Sequence, residues 1–553
     1  MMEKITKRPN QTVFLSLILA TALLLVGGGI YAQSAADAKD WPQTRAERTG
    51  YKETSHYADV IRFLQDLQVQ GAPISVEYIG ESPEGRPIPL VIASRPLAAA
   101  PADALRSGKP IVYLEANIHA GEVEGKEAAL MLLRDFAQEP VGKGMLDDII
   151  LLTTPIYNID GNEKFGQNRR GQNGPELVGV RSNGQNLDLN RDAVKAESNE
   201  MKAVLKHVYT QWNPDALIDL HTTNGSRHGY KLTYAPAQYP NLDKDVEKFN
   251  RDKLLVTVRR RLKQEHDIEV FDYGNTSRGR GGEPPQQQSW RTFGCEPRYV
   301  SNYAGARNRI GVLSETVSYV PFEKRVHVCY HFTRTVLDEI RRNAAEVVRL
   351  TRQADARVID WGLHPEKAPA LGVRFEMDNR GAEDLLLEKP GAGGRSQEPA
   401  ELVTVKAIIW DRFKTTKTSR FPAAYLIPAD LTATVDLLKL HGVVVEKLLA
   451  DFQGDTEAFV VEEIGGGGRG SFSGGGKTVN GKFEKSPSTK MPAGSFLVRT
   501  AQPLGILAFT LLEPENPDSA ASIGLVDEFL KVNERYPVYK CYNQINTPTE
   551  RVQ

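Results

Sequence analysis

His119-Ala120-Gly121-Glu122 is the segment whose residue types and spacing could do chemistry. An imidazole and a carboxylate three residues apart, where an apolar run gives way to a helical pattern, can turn into one crevice and grip one metal ion. Alone the pair is a weak signal, and it equally fits a capped helix start with a solvated glutamate. His221 offers a second imidazole. A hydrolytic zinc site takes three protein ligands and keeps one position for water, so His119, Glu122 and His221 make a full set. Zinc lowers the pKa of bound water to about 7. A base must then take that proton and pass it to the leaving amine.

Glu315 can be that base. It follows the apolar Ile310-Gly311-Val312-Leu313, where a carboxylate is costly unless paired or functional. A salt bridge to Arg307 or Arg309 is the structural alternative. The polar segment from Val180 to Asp192 supplies further groups. Arg191 suits a bidentate grip on a planar carboxylate, with Asn190 donating beside it. Arg181 can stabilise an oxyanion on an attacked carbonyl. Asp188 can orient a zinc histidine through its second ring nitrogen. A polar loop with ordinary surface arginines is the plain alternative for all of these.

The elements that must position these groups alternate between strand and helix from Tyr57 to about Arg349. Ile111 to Asn117 reads as a strand and Gly125 to Gln138 as a helix. Ile149 to Tyr157 is an apolar run ending in the turn residues Asn158-Ile159-Asp160-Gly161. Ser198 to Trp212 is helical, Ala216 to Asp219 is a strand leading into His221, and Ile310 to Leu313 leads into Glu315. Val326 to about Gln353 reads as one long amphipathic helix. This alternation argues for an α/β sheet with helices on both faces. Ligands of such sheets bind beyond the carboxyl ends of the strands, where His119, His221 and Glu315 fall. Residues 272–289 read as a long surface loop.

A chain of this length holds two or more domains. Its net charge of −1 leaves no footprint for nucleic acid or an anionic membrane surface. Lys4, Lys7 and Arg8, then the apolar stretch Val13 to Val26, then Ala32 read as a secretory signal peptide over residues 1–32. Its removal takes away three positive charges and one negative, leaves the mature chain at −3, and implies an exported protein, periplasmic or extracellular. Residues 33–54 form an N-terminal extension. Cys295, Cys329 and Cys541 are too few for a disulfide framework or a cysteine zinc site, although Cys295 and Cys329 could pair. Beyond Ala368 the texture changes, with strands at Val403–Trp410 and Phe496–Val498 and a helix at Leu431–Leu440. Gly465 to Gly476 ends in Gly476-Lys477-Thr478, but Ser471 stands where a phosphate loop needs its first glycine, so nucleotide binding is rejected in favour of a hairpin tip.

Taken in order, His119-x-x-Glu122, the loop ending Leu187-Asp188-Leu189-Asn190-Arg191, His221 and Glu315 resemble the zinc carboxypeptidases related to carboxypeptidase A. The resemblance covers about residues 55–345. It implies one zinc ion per chain on His119, Glu122 and His221, with Glu315 as base. Arg181 is the implied carbonyl-polarising arginine, with Arg169 and Arg170 as rivals. Asn190 and Arg191 are implied to hold the substrate's terminal carboxylate. The implied fold is a mixed, about eight-stranded sheet with helices on both faces, in a catalytic domain over 55–355. Implied substrates are peptide or protein C-termini. Some positions depart from the pattern. Ile159 replaces a proline, Asp192-Ala193 replaces Asn-aromatic and puts an acid beside the carboxylate clamp, and Thr222 replaces a serine. Tyr303 is the candidate for a substrate-capping tyrosine. Leu426-Ile427-Pro428, His441-Gly442 and Tyr536-Pro537-Val538-Tyr539 look similar to the C-terminal parts of large exported bacterial members, so 368–553 reads as a smaller α+β accessory domain. The same ligand set also serves amidases acting on N-acyl amino acids or cell-wall peptides. A non-catalytic binding protein on a peptidase scaffold is the third reading.

Overall fold

Eight strands make the sheet that carries the site. They are β1 (Ile74–Glu81), β2 (Pro87–Ala93), β3 (Ile111–Ala116), β4 (Ile150–Thr154), β5 (Ala216–Thr223), β6 (Leu232–Pro236), β7 (Val270–Asp272) and β8 (Ile310–Val317), in the order β1-β2-β4-β3-β5-β8-β6-β7. The central strands β4, β3, β5 and β8 are parallel, while β1–β2, β2–β4 and β8–β6 are antiparallel. Every residue of β3, β4 and β5 is buried. Strands buried on both sides need helices on both faces of the sheet, which is why these segments read as continuous apolar runs. The computed structural model describes residues 41–138, 140–168, 171–223, 225–276, 288–389, 397–466 and 476–552. The expected signal peptide lies outside them, as do Arg169, Arg170 and most of the glycine-rich segment 465–476.

The helices follow from their apolar spacing. In α1 (Tyr57–Val69), Val60, Phe63, Leu64 and Leu67 form one buried stripe. The next helix, α2 (Glu124–Ala137), starts just after Glu122 and lies hard against β5. A Cβ on Gly125 would stand 2.7 Å from the Leu220 Cβ, so only glycine permits this approach. Ser198 caps α3 (Asn199–Val204) by accepting from Met201 N. After α4 (Val300–Ala306), the single helix expected from Val326 to Gln353 is two, α5 (Phe322–Arg342) and α6 (Ala344–Leu363). Asn343 breaks them with φ −110° and ψ 23°, and its side-chain amide donates to Glu339 O at 2.8 Å. A short amide side chain competes for the helix carbonyls in this way, and apolar periodicity does not register it.

The segment expected as a loop over 272–289 contains short strands at its ends. Asn275–Thr276 pairs with Gln288–Arg291, which runs parallel to Leu402–Trp410. Further on, Ala424–Ile427 is bordered by Phe496–Arg499 and Arg535–Cys541 in a seven-stranded antiparallel sheet. Two helices belong to this C-terminal region, α7 (Thr432–Leu440) and α8 (Gly505–Leu512). Residues 43–553 form one compact unit. Cys295, Cys329 and Cys541 are buried free thiols. Among the described residues no helix is long and apolar enough to cross a membrane.

Candidate active site

At the carboxyl end of β3 the chain turns sharply through Asn117, which has a φ of 65°. The Asn117 amide donates to Ala120 O and Glu122 O, at 3.3 and 3.2 Å, and so shapes the loop that carries His119 and Glu122. His221 comes from the adjacent end of β5. The two imidazoles face one carboxylate, with His119 Nδ1 3.1 Å from Glu122 Oε1 and His221 Nδ1 2.9 Å from Glu122 Oε2. All three residues are buried, and their ligand atoms lie within 4.8 Å of one another. The opposite ring nitrogens are held by carboxylates. His119 Nε2 is 2.9 Å from Asp188 Oδ1, and His221 Nε2 is 2.8 Å from Asp219 Oδ2. Two oriented imidazoles and a carboxylate converging in a buried crevice fit a zinc ion, the carboxylates behind fixing ring orientation.

The electrostatics agree with a site built for positive charge. Burial works against protonating His221, yet Asp219 and Glu122 outweigh it and raise its pKa well above the ordinary value. Burial also disfavours the Asp188 anion, but His119, Arg181 and Arg191 overcome this and hold the carboxyl well below its usual range. Glu122 Oε2 further accepts from Thr222 N at 2.8 Å. The Thr222 hydroxyl donates to the buried Glu124, which Arg325 approaches at 3.3 Å.

Arg181 binds Asp188 Oδ2 through Nε and Nη2, at 3.0 and 2.9 Å, and its Nη1 lies 3.7 Å from Glu122 Oε1. It therefore stands at the edge of the triad. Asn158 ties this loop to the metal loop by donating to Ile118 O at 3.2 Å and Arg181 O at 2.9 Å. Asn183 braces the loop from within, its Oδ1 accepting from Gln185 N and Leu187 N, and its amide donating to Glu200 Oε2 at 2.9 Å. Burial raises the Glu200 pKa to about 7. A carboxyl whose folded pKa exceeds its unfolded value favours folding while protonated, and that advantage is lost as pH climbs from about 4.5 to about 7. Glu200→Gln is expected to remove this loss and to stabilise the protein above pH 7 by up to about 3 kcal/mol. Unfolding midpoints of both proteins across pH 4 to 9 check this, and parallel curves would exclude it.

Glu315 sits on β8 in register with His221 on β5 and lines the same pocket. The arginines offered as its structural partners are engaged elsewhere. Arg309 pairs with Asp355 at 2.8 Å, and Arg307 donates to Tyr303 Oη, His441 O and Tyr209 O. Arg191 lines the pocket too, with its guanidinium 4.5 Å above the Tyr299 ring and Nη1 donating to Asn190 O at 2.7 Å. Asn190 Oδ1 accepts from Val300 N at 3.0 Å, which leaves its amide facing His221.

Two expectations are corrected here. Tyr303 is fully buried in α4, and its hydroxyl meets His441 Nδ1 at 2.7 Å, away from the pocket. The aromatic rings that do line the pocket are Tyr273, Phe293 and Tyr299. Asp192 is turned away from Arg191, accepting from Ser198 N at 2.9 Å, the Ser198 hydroxyl at 2.6 Å and Glu197 N at 2.8 Å. Sequence reasoning missed Asp219, although its spacing of two from His221 on a strand puts both on one face. It missed Tyr299 because stacking on Arg191 joins residues more than a hundred positions apart.

The zinc carboxypeptidase family model matches residues 60–282. Carboxypeptidase 2 of Trichophyton rubrum is 26% identical over 478 residues, which cover 83% of this chain and 81% of that protein. Residues 60–282 thus match the zinc carboxypeptidase family. That match and the carboxypeptidase relatives mark it as a hydrolase of the metallopeptidase class. Human carboxypeptidase Z is 32% identical over 143 residues, 25% of this chain and 21% of that protein. A metallo-carboxypeptidase structure from Burkholderia cenocepacia is 18% identical, with a TM-score of 0.39 over 53% of this chain and 70% of that chain.

Proposed function

We propose that the protein removes single residues from the C-termini of peptides, using one zinc ion held by His119, Glu122 and His221. The observation that carries this is the sharing of one pocket by the His-Glu-His triad, the Glu315 carboxylate and the Arg191 guanidinium. Zinc, when bound, supplies an acidified water and a Lewis acid for the scissile carbonyl. Glu315 takes the water proton and returns it to the leaving amine. Its register beside His221 and its share in lining the pocket support this role. Arg181 steadies negative charge developing on the carbonyl oxygen, supported by its place beside Glu122 and its fixed grip on Asp188. Asn190 and Arg191 hold the substrate's free carboxylate, and Tyr299 keeps the guanidinium in its plane. A clamp for a terminal carboxylate makes the cleavage exo, because an internal peptide bond offers no charge there. Export rests on the basic start and apolar stretch within residues 1–32.

Arg191→Met tests the clamp. It is expected to raise KM for a peptide with a free C-terminus about 100-fold while kcat changes little, because a buried charge pair across an interface costs several kcal/mol to truncate. The wild type should cleave the C-terminally amidated peptide as poorly as the variant cleaves the free one. Equal cleavage of both peptides by the wild type would remove the exopeptidase assignment. Turnover of N-acyl amino acids alone would move the activity to an amidase.

A further inference from the structure

The chain beyond residue 368 reaches the back of the carboxylate clamp at two buried points. The first is Asp518. Its Oδ2 accepts from Arg298 N at 2.8 Å, and its Oδ1 pairs with Arg298 Nε at 2.8 Å. Arg298 Nη2 also donates to Pro517 O at 3.1 Å. Arg298 directly precedes Tyr299, the ring under Arg191. The Arg298 carbonyl in turn accepts from Ala193 N at 3.3 Å, two residues after Arg191. Both members of the pair are under a tenth exposed, Arg298 at 6% and Asp518 at 2%.

The second point is His441, which is wholly buried. Its Nε2 lies 2.8 Å from Val194 O, and its Nδ1 lies 2.7 Å from the Tyr303 hydroxyl. A carbonyl oxygen only accepts, so Nε2 carries the proton and Nδ1 accepts from Tyr303. Burial pushes the His441 pKa down to about 4, consistent with this neutral imidazole. The Tyr303 oxygen receives Arg307 Nη1 at 3.1 Å, so both His441 ring nitrogens and the Tyr303 hydroxyl have partners. Val194 belongs to the segment after Arg191, and Tyr303 to the helix that starts at Val300, whose N–H fixes Asn190.

We infer that Asp518 and His441 are positioning residues for the substrate-carboxylate clamp, one fixing the backbone at Tyr299 and the other the backbone after Arg191. This inference rests on the assignment of Arg191 to the substrate carboxylate. It gives the C-terminal region a part in the specificity of the peptidase. A guanidinium held to a ring by a two-sided brace meets a carboxylate at one spacing, and loosening either side spreads that spacing. Tyr303 then serves as a strut behind the clamp.

The test measures KM and kcat on a blocked dipeptide with a free C-terminus, and Ki for the free amino acid it releases. The full-length variants are Arg298→Met/Asp518→Leu, His441→Leu, His441→Gln and Arg191→Met. Replacing both members of a buried ion pair with apolar residues of similar size spares the fold the cost of one stranded charge. The double variant and His441→Leu should each raise KM and Ki about tenfold, with kcat within about twofold and zinc content unchanged. His441→Gln, which keeps one donor and one acceptor, should recover most of the loss. A general weakening of the fold would lower the active fraction and leave KM and Ki alone. Should the double variant not fold, the two His441 variants carry the test. KM and Ki unchanged in these variants, while Arg191→Met raises both, would overturn the brace. KM and Ki unchanged in Arg191→Met would instead overturn the clamp assignment, and the brace with it.

Discussion

Glu315→Gln is expected to lower kcat about 1,000-fold, within the span that general acid–base catalysis contributes. The substitution keeps the size of the side chain and its place on β8 and removes only the capacity to take a proton. KM should therefore stay within about threefold, because the carboxylate clamp is untouched. Zinc content should equal that of the wild type, since Glu315 is not among the three converging ligands. The measurement is steady-state kinetics on a free-C-terminus peptide beside metal analysis of the same preparation. A zinc-loaded variant retaining a tenth or more of the wild-type kcat would show that another group moves the proton. The family match over residues 60–282 stops short of Glu315, so its role rests on its sequence context and on its place in the pocket.

The second large effect is expected at the metal. His119→Ala leaves one imidazole and one carboxylate, too few to hold zinc in a hydrolytic site. Its zinc affinity should fall by more than the roughly 100-fold that loss of a partner behind a ligand costs. Asp219→Asn and Asp188→Asn supply that comparison. Each keeps the ligand histidine and weakens what orients it, so each should bind zinc about 10- to 100-fold more weakly than the wild type. Competition with a chromogenic chelator gives all four affinities without relying on catalysis. Activity should follow occupancy, absent in chelator-treated wild type and restored by added zinc. Equal zinc affinity in His119→Ala and the wild type would rule out the triad.

Much of the central sheet could be read from the chain because burial leaves a local trace. The apolar runs at Ile111, Ile149, Ala216 and Ile310 correspond to β3, β4, β5 and β8, the strands buried on both faces. The convergence of His119 and Glu122 was legible for a similar reason, since the two are three residues apart at a strand end. Asn343 was not, because a side-chain amide taking a helix carbonyl leaves the apolar stripe intact on both sides. Asp192 was misjudged because adjacency along the chain says nothing about direction. It lies next to Arg191, yet its carboxylate turns to the Glu197 N–H and to the N–H and hydroxyl of Ser198.

Residue type and order determined the groups available to this protein: two imidazoles, two carboxylates and a loop of arginines. Local spacing and strand ends also determined that the ligands leave the sheet on one side. The tertiary structure alone decided which tyrosine meets the clamp. Tyr299 and Tyr303 are one helical turn apart, and their sequence contexts do not separate them. The ring of Tyr299 lies under Arg191, while the hydroxyl of Tyr303 is taken by His441, more than a hundred residues away. That choice is made by which buried hydroxyl must find a partner and which ring can stay open at the pocket. Such a demand arises only once distant segments are packed together, since water satisfies both tyrosines equally in the unfolded chain.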